Sequence, residues 1–150
     1  MSRARLISLL LPAFFLLACG SSAPPKKIDG VWFANLQSGG NAAYTFSATL
    51  TQNSGSTVDV TGFGFTGDAP CFGSPTGQTA TFSVSGHAGG FQVGTFSMNI
   101  STSLGTAVEN VLTLNGTRSA DGTISGTWIL TGLAGCSANG NYTMTAPKPL

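Results

Sequence analysis

Charge is what this chain most conspicuously lacks: six basic and five acidic residues in 150, or 7% charged overall. Arg3 and Arg5 precede the long apolar run, so the remainder holds four basic against five acidic residues and is nearly neutral. That balance excludes a nucleic-acid partner, whose affinity would come mainly from Lys and Arg set against phosphates. Thr, Ser, Asn and Gly are left to solvate the surface, which is less protected from association than a charged one. Histidine is nearly missing too. One His87 in a glycine-rich turn does not supply the ligand set that zinc needs, so no metal is expected. There is no Gly-rich phosphate cradle between a strand and a helix, and no EF-hand calcium loop. The acids are scattered: Asp59 points outward with its neighbouring threonines, Glu109 opens a strand, and Asp68 and Asp121 sit in loops. A reaction needs positioned acids, bases or nucleophiles. The chain is therefore expected to be no enzyme and to need no cofactor.

One long apolar run is present, Leu6 to Leu17, behind the positive Arg3 and Arg5. It is short of the roughly 20 apolar residues that span a bilayer as a helix. It reads as a secretory signal peptide. The run ends Leu16-Leu17-Ala18-Cys19, with Gly20-Ser21-Ser22 after it. This resembles the lipobox of bacterial lipoproteins. The resemblance implies that residues 1–18 are removed, that the Cys19 thiol receives a diacylglycerol, and that the new amino terminus is acylated, with palmitate a fitting chain. Several acyl chains hold a membrane where one does not, because each buried CH₂ contributes roughly 0.8 kcal/mol. Gly20 stands where an aspartate would signal retention at the inner membrane, so the outer membrane is the implied destination. Residues 19–28 then form the lipidated cysteine and a flexible, Pro-containing tether. Residues 29–147 are enough for a single domain with a core of its own.

Cys71 and Cys136 remain. In an exported chain two cysteines are expected to form a disulfide.

From Asp29 onward the hydrophobic period is two. Tyr44-Thr-Phe46-Ser-Ala48-Thr-Leu50-Thr51 alternates without a fault, as do 80–85 and 124–131. One buried face and one wet face mark antiparallel sheet. Eight strands are expected, at about 30–37, 43–52, 57–65, 78–86, 90–101, 108–117, 122–131 and 138–146. Turns at Asn53-Ser54-Gly55, Gly86-His87-Ala88-Gly89-Gly90 and Asp121-Gly122 separate them. Apolar parity slips between Val93 and Phe96, which predicts a bulge at Gly94. Connections this short favour an all-β, up-and-down meander, and eight such strands suffice to close a barrel. A β-sandwich is the alternative, because periodicity does not reveal strand order.

Gly30-Val31-Trp32 resembles the Gly-x-Trp that opens the barrels of lipocalins and avidins. Phe33 to Ser38 extends the likeness to avidin, and Gly126-Thr127-Trp128 resembles the avidin strand that carries a ligand-contacting Trp. The resemblance implies a barrel fold and places Ser38 and Trp128 toward a pocket. It does not imply biotin: Ala34 stands where the avidin polar shell has an asparagine, and Asn139-Gly140-Asn141 where it has an acid.

A meander puts the tether and the carboxyl terminus at one end, with tight turns after the second, fourth and sixth strands. Longer connections, after strands one, three, five and seven, fall at the other end. Both cysteines lie there, so their bond draws the Thr66–Gly77 connection across the mouth. Phe72 then either plugs that mouth or caps a pocket. Tyr44, Phe65, Met98 and Trp128 are expected near it, within an aromatic interior that also holds Phe46, Phe82, Phe91, Phe96, Tyr142 and Phe63 or Phe65. Two roles follow: a membrane-anchored module binding a small apolar or amphipathic ligand, or a filled-core lipoprotein that serves structure or meets an envelope protein.

Overall fold

The computed structural model describes residues 23–73, 76–104 and 107–147; the leader and Cys19 lie outside them. Eight antiparallel strands follow one another: β1 (Gly30–Ser38), β2 (Asn41–Gln52), β3 (Thr57–Phe65), β4 (Thr76–Ala88), β5 (Phe91–Leu104), β6 (Ala107–Arg118), β7 (Ile124–Thr131) and β8 (Ala138–Thr145). Each pairs with the next. β8 returns to β1, from Thr145 opposite Phe33 to Asn141 opposite Gln37, and closes the barrel. A sandwich would leave those two edges unpaired.

Alternation decides which side chains enter. Trp32, Ala34 and Leu36 of β1 are buried, while Val31, Phe33 and Asn35 between them are exposed. The same parity carries Phe46, Ala48 and Leu50 inward on β2, and Leu112 and Leu114 on β6. Burying such side chains stabilises the fold by about 1.5–3 kcal/mol each relative to exposure.

Two register irregularities modify this pattern. On β3 the register passes from Thr61 to Gly64 while β2 passes from Thr49 to Ser47, so β3 carries one extra residue. Gly62 takes it up at φ 56°, a left-handed conformation that glycine adopts without steric cost. The extra residue switches parity, from Val58 and Val60 inward to Phe63 and Phe65 inward. Both phenylalanines therefore reach the interior. The second irregularity corrects an expectation. The bulge expected at Gly94 lies across from it, in β4, where Val84 faces Gly94 and Gly86 faces Val93 with Ser85 between. Gly94 is instead the residue over which the bulged strand closes, since a β-carbon there would overlap the Ser83 carbonyl.

The connections also differ from expectation. The one after β1 is the two-residue Gly39-Gly40, and two residues separate β5 from β6. At the end away from the amino terminus, only β3–β4 and β7–β8 carry connections longer than two residues.

The amino-terminal end is sealed by residues 26–28, just ahead of β1. Lys26 N–H donates to the Gly90 carbonyl (2.8 Å), and the Lys26 carbonyl accepts from Gln92 N–H (3.0 Å). Ile28 is fully buried, and its carbonyl accepts from the Trp32 indole at 2.7 Å. Arg118, 4% exposed, lies over the Trp32 and Phe91 rings, 5.5 and 4.9 Å from their centroids. Its guanidinium donates to the carbonyls of Lys26 (3.0 Å), Gln92 and Gly122 (both 3.4 Å). A buried cation is tolerable only when its donors are met this way. Burial pulls its pKa down, partly countered by the charge of Asp29.

Candidate functional site

The loop-bearing end brings four of the six expected site residues together. β3 runs out at Phe65, and Thr66 stays attached to β2 through Thr66 N–H to the Thr45 carbonyl (2.9 Å) and a 2.8 Å bond between the two hydroxyls. Beyond Asp68 the chain turns back, with Phe72 N–H donating to the Ala69 carbonyl at 2.8 Å. That turn carries Phe72 into the core, and 8% of it remains exposed.

Phe72 lands on aromatic rings. Its centroid lies 5.0 Å from Phe65 and 5.9 Å from Tyr44, the latter edge-on. Tyr44 in turn meets the Trp128 ring edge-on at 5.8 Å. Phe63 joins at the side, 5.2 Å from both Phe46 and Phe65. Tilted and edge-to-face pairs at these spacings add about 0.5–1.5 kcal/mol each beyond the area they bury. The Trp128 indole is anchored by two carbonyls, Gln37 and Asn141, both at 3.1 Å.

Two ties hold the loop in place. Cys71 and Cys136 form a disulfide, Cα to Cα 5.7 Å, joining the β3–β4 and β7–β8 connections. Asn110, buried near the start of β6, reaches both connections from below: its amide donates to the Cys71 carbonyl (2.7 Å), and its oxygen accepts from Leu133 N–H (2.9 Å).

No family model, curated protein or solved structure matches the chain. The site must be read from its own geometry.

Of the six residues expected to face a ligand, Tyr44, Phe65, Phe72 and Trp128 form one contiguous cluster. Met98 is fully buried in mid-β5, opposite Ala80 and Leu114. Ser38 ends β1 half-buried, opposite Asn41 and one residue past the carbonyl that holds Trp128. The barrel interior contains fully buried hydroxyls that find no partner among the described residues, those of Thr102 and Tyr142. Tyr142 lies over Gly116, where a β-carbon would meet both its hydroxyl and the Ser125 carbonyl. Burial pushes the Tyr142 pKa well up, and that of Tyr44 up less.

Two surface depressions lie on the outer wall. A groove of about 410 Å³ runs between β8, β1 and β2, with half-exposed Phe33 at its side and Thr45, Thr66, Thr143 and Thr145 around it. A smaller hollow of about 90 Å³ lies between Asn35, Gln37 and Asn141. Asp59, His87 and Glu109 stand apart, on β3, β4 and β6. Among the described residues, no three His, Cys, Asp or Glu side chains converge.

Sequence reasoning overlooked Asn110 and Arg118, the polar residues that hold the two ends. A signal was there. Both share the inward parity of Leu112 and Leu114 on β6, where an amide and a guanidinium demand partners.

Proposed function

We propose that this chain is an outer-membrane lipoprotein, anchored through a lipid on Cys19, whose barrel is a filled, non-catalytic interaction module. The observation that carries this reading is the seating of Phe72 on Tyr44 and Phe65, locked by the disulfide and by Asn110. A module built to hold a small molecule needs part of its interior free. Here the residues suited to face such a molecule pack on one another, and the two depressions described lie outside the wall. The lipobox at Leu16–Cys19 supports the anchor.

The anchor, on this reading, also orients the barrel. Cys19 lies seven positions before Lys26, which is already hydrogen-bonded to the barrel. At about 3.5 Å per residue the tether reaches at most roughly 25 Å. The Arg118 end thus stays near the bilayer and the disulfide end points away from it.

A second reading, a holder of one small apolar ligand, draws on the half-buried Tyr44, Phe63 and Phe65, which offer accessible ring surface. Native mass spectrometry of the full chain purified in detergent separates the two. The interaction reading expects a protein mass carrying the lipid and one disulfide, with no co-purified small molecule and no uptake of N-phenylnaphthylamine. A released small molecule, or saturable uptake of that probe, overturns it in favour of the ligand holder.

A further inference from the structure

The barrel wall is not uniform. Its ladders run from five register pairs between β1 and β8 to twelve between β4 and β5. Between β3 and β4 there are two, Thr57 with Thr81 and Val58 with Ala80. A bond from Phe82 N–H to the Ser56 carbonyl (2.7 Å) closes this seam at the amino-terminal end. Toward the other end β3 continues for seven residues, Asp59–Phe65, registered with β2 on one side and outside the β4 register on the other. Among the described residues none is registered opposite it on that side, so in an otherwise closed barrel this stretch is an edge strand.

An edge strand is a template for another strand: its outward backbone groups supply hydrogen bonds, and pockets beside it select side chains. Behind this edge lie Val60, Phe63 and Phe65, half-buried and packed against the core. In front stand Asp59 at its start and Asp68 just past its end, both exposed. From Thr57 to Ala88 the chain contains these two acids and neither Lys nor Arg. The described Lys26, Lys27 and Arg118 all lie at the amino-terminal end or in the residues that seal it. The free edge is therefore apolar within, acidic without, and rich in backbone donors and acceptors.

We infer that the β3 edge, Asp59–Phe65, is a strand-addition site for an extended segment of a partner protein in which apolar residues alternate with Lys or Arg. The alternation follows from the pleat: one face of the added strand lies over Phe63 and Phe65, the other looks outward past Asp59 and Asp68. A second copy of this chain fits less well, because its own β3 brings aspartate and no basic residue. This inference rests on the interaction reading above and names the partner's chemistry.

Hydrogen–deuterium exchange on the full lipidated chain in detergent tests it. The probe is the acetylated and amidated heptapeptide Lys-Val-Lys-Val-Lys-Val-Lys. Its control is the same peptide N-methylated throughout, which keeps the side chains and charge but has no amide to donate. The heptapeptide is expected to slow exchange across 59–65 at least about tenfold, saturably, without slowing the β6–β7 ladder. The control leaves exchange unchanged. D59N/D68N is expected to bind the heptapeptide about fivefold more weakly at low salt, as two exposed ion pairs allow.

Four results overturn the proposal: exchange at 59–65 as slow without peptide as in the β6–β7 ladder, no added protection with it, equal protection by the control, or protection that grows with protein concentration alone. The last makes a second copy the occupant. Uptake of N-phenylnaphthylamine in the same preparation would defeat the interaction reading itself. Failure of the heptapeptide with the core still closed to that dye defeats the strand-addition site alone.

Discussion

Replacing both bridging cysteines, Cys71→Ala with Cys136→Ala, separates what the disulfide does for stability from what it does for closure. The bond spans 65 residues of sequence. In the chain-entropy model, opening a loop of that size in the unfolded state costs the fold about 4 kcal/mol, less any native strain that is relieved. The position of the loop depends on other groups as well. Asn110 still bonds the Cys71 carbonyl and Leu133 N–H, and Phe72 still rests on Tyr44 and Phe65. The double variant should therefore be much less stable yet remain closed in its folded state. Urea unfolding followed by tryptophan fluorescence reads the first effect. With a slope of about 2 kcal/mol per molar urea, the midpoint should fall by roughly 2 M. N-phenylnaphthylamine fluorescence below the transition reads the second, and should stay at the wild-type level. Asn110→Ala is the counterpart. It removes both of its bonds and leaves the buried Cys71 carbonyl and the part-buried Leu133 N–H short of a partner, which costs about 1–3 kcal/mol. It also frees the loop between its disulfide and β3. The reasoning fails if the cysteine variant loses less than about 1 kcal/mol, or if it takes up dye while still folded.

At the opposite end, Arg118→Met keeps much of the volume but removes three donors to carbonyls and two ring contacts. A loss of about 2–4 kcal/mol is expected, with faster trypsin cleavage after Lys26 and Lys27; unchanged cleavage would mean that Arg118 does not hold the incoming chain. Gly116→Ala should cost at least about 2 kcal/mol through overlap with the Ser125 carbonyl and the Tyr142 hydroxyl. Tyr142→Phe discards a hydroxyl that has no partner, so it should be neutral or stabilising and should recover part of the Gly116→Ala loss, read as a double-mutant cycle in urea. Because the folded Tyr142 pKa is raised by burial, its contribution is intact below about pH 10, the unfolded value. It is lost as pH climbs above that, so the phenolate absorbance of Tyr142, read in Tyr44→Phe, should appear together with unfolding and not before it. Asp121 has the opposite sign. Bonds from Ser119 and Thr123 hold its pKa down, so the β6–β7 turn is tight above the ordinary carboxylate value of about 3.9 and loosens as pH falls through the folded one. Carboxyl carbon shifts against pH would check it, and a midpoint at or above the ordinary value would refute it.

Much of the fold was legible before any coordinates, for a local reason. Period-two alternation is written into neighbouring residues, and short connections between strands leave little choice but to pair in order. The eight strands, the meander and the inward residues of β2 and β7 all rest on that, whereas the pairing of Cys71 with Cys136 rests on there being two cysteines in an exported chain. Ser85 instead of Gly94 as the bulged residue was not legible, because a bulge belongs to a pair of strands and either partner can hold the extra residue. Nor was the entry of both Phe63 and Phe65, which depends on Gly62 adopting a left-handed conformation against β2. The tie between Lys26 and Arg118, 92 residues apart, is a contact that only closure creates. So is the grip of Asn110 on Cys71. What Phe72 packs on was likewise decided by what lay opposite it, the rings of Tyr44 and Phe65. Alternation declares which face a side chain takes, while tertiary structure decides what that face meets, because filling an interior depends on every strand that surrounds it.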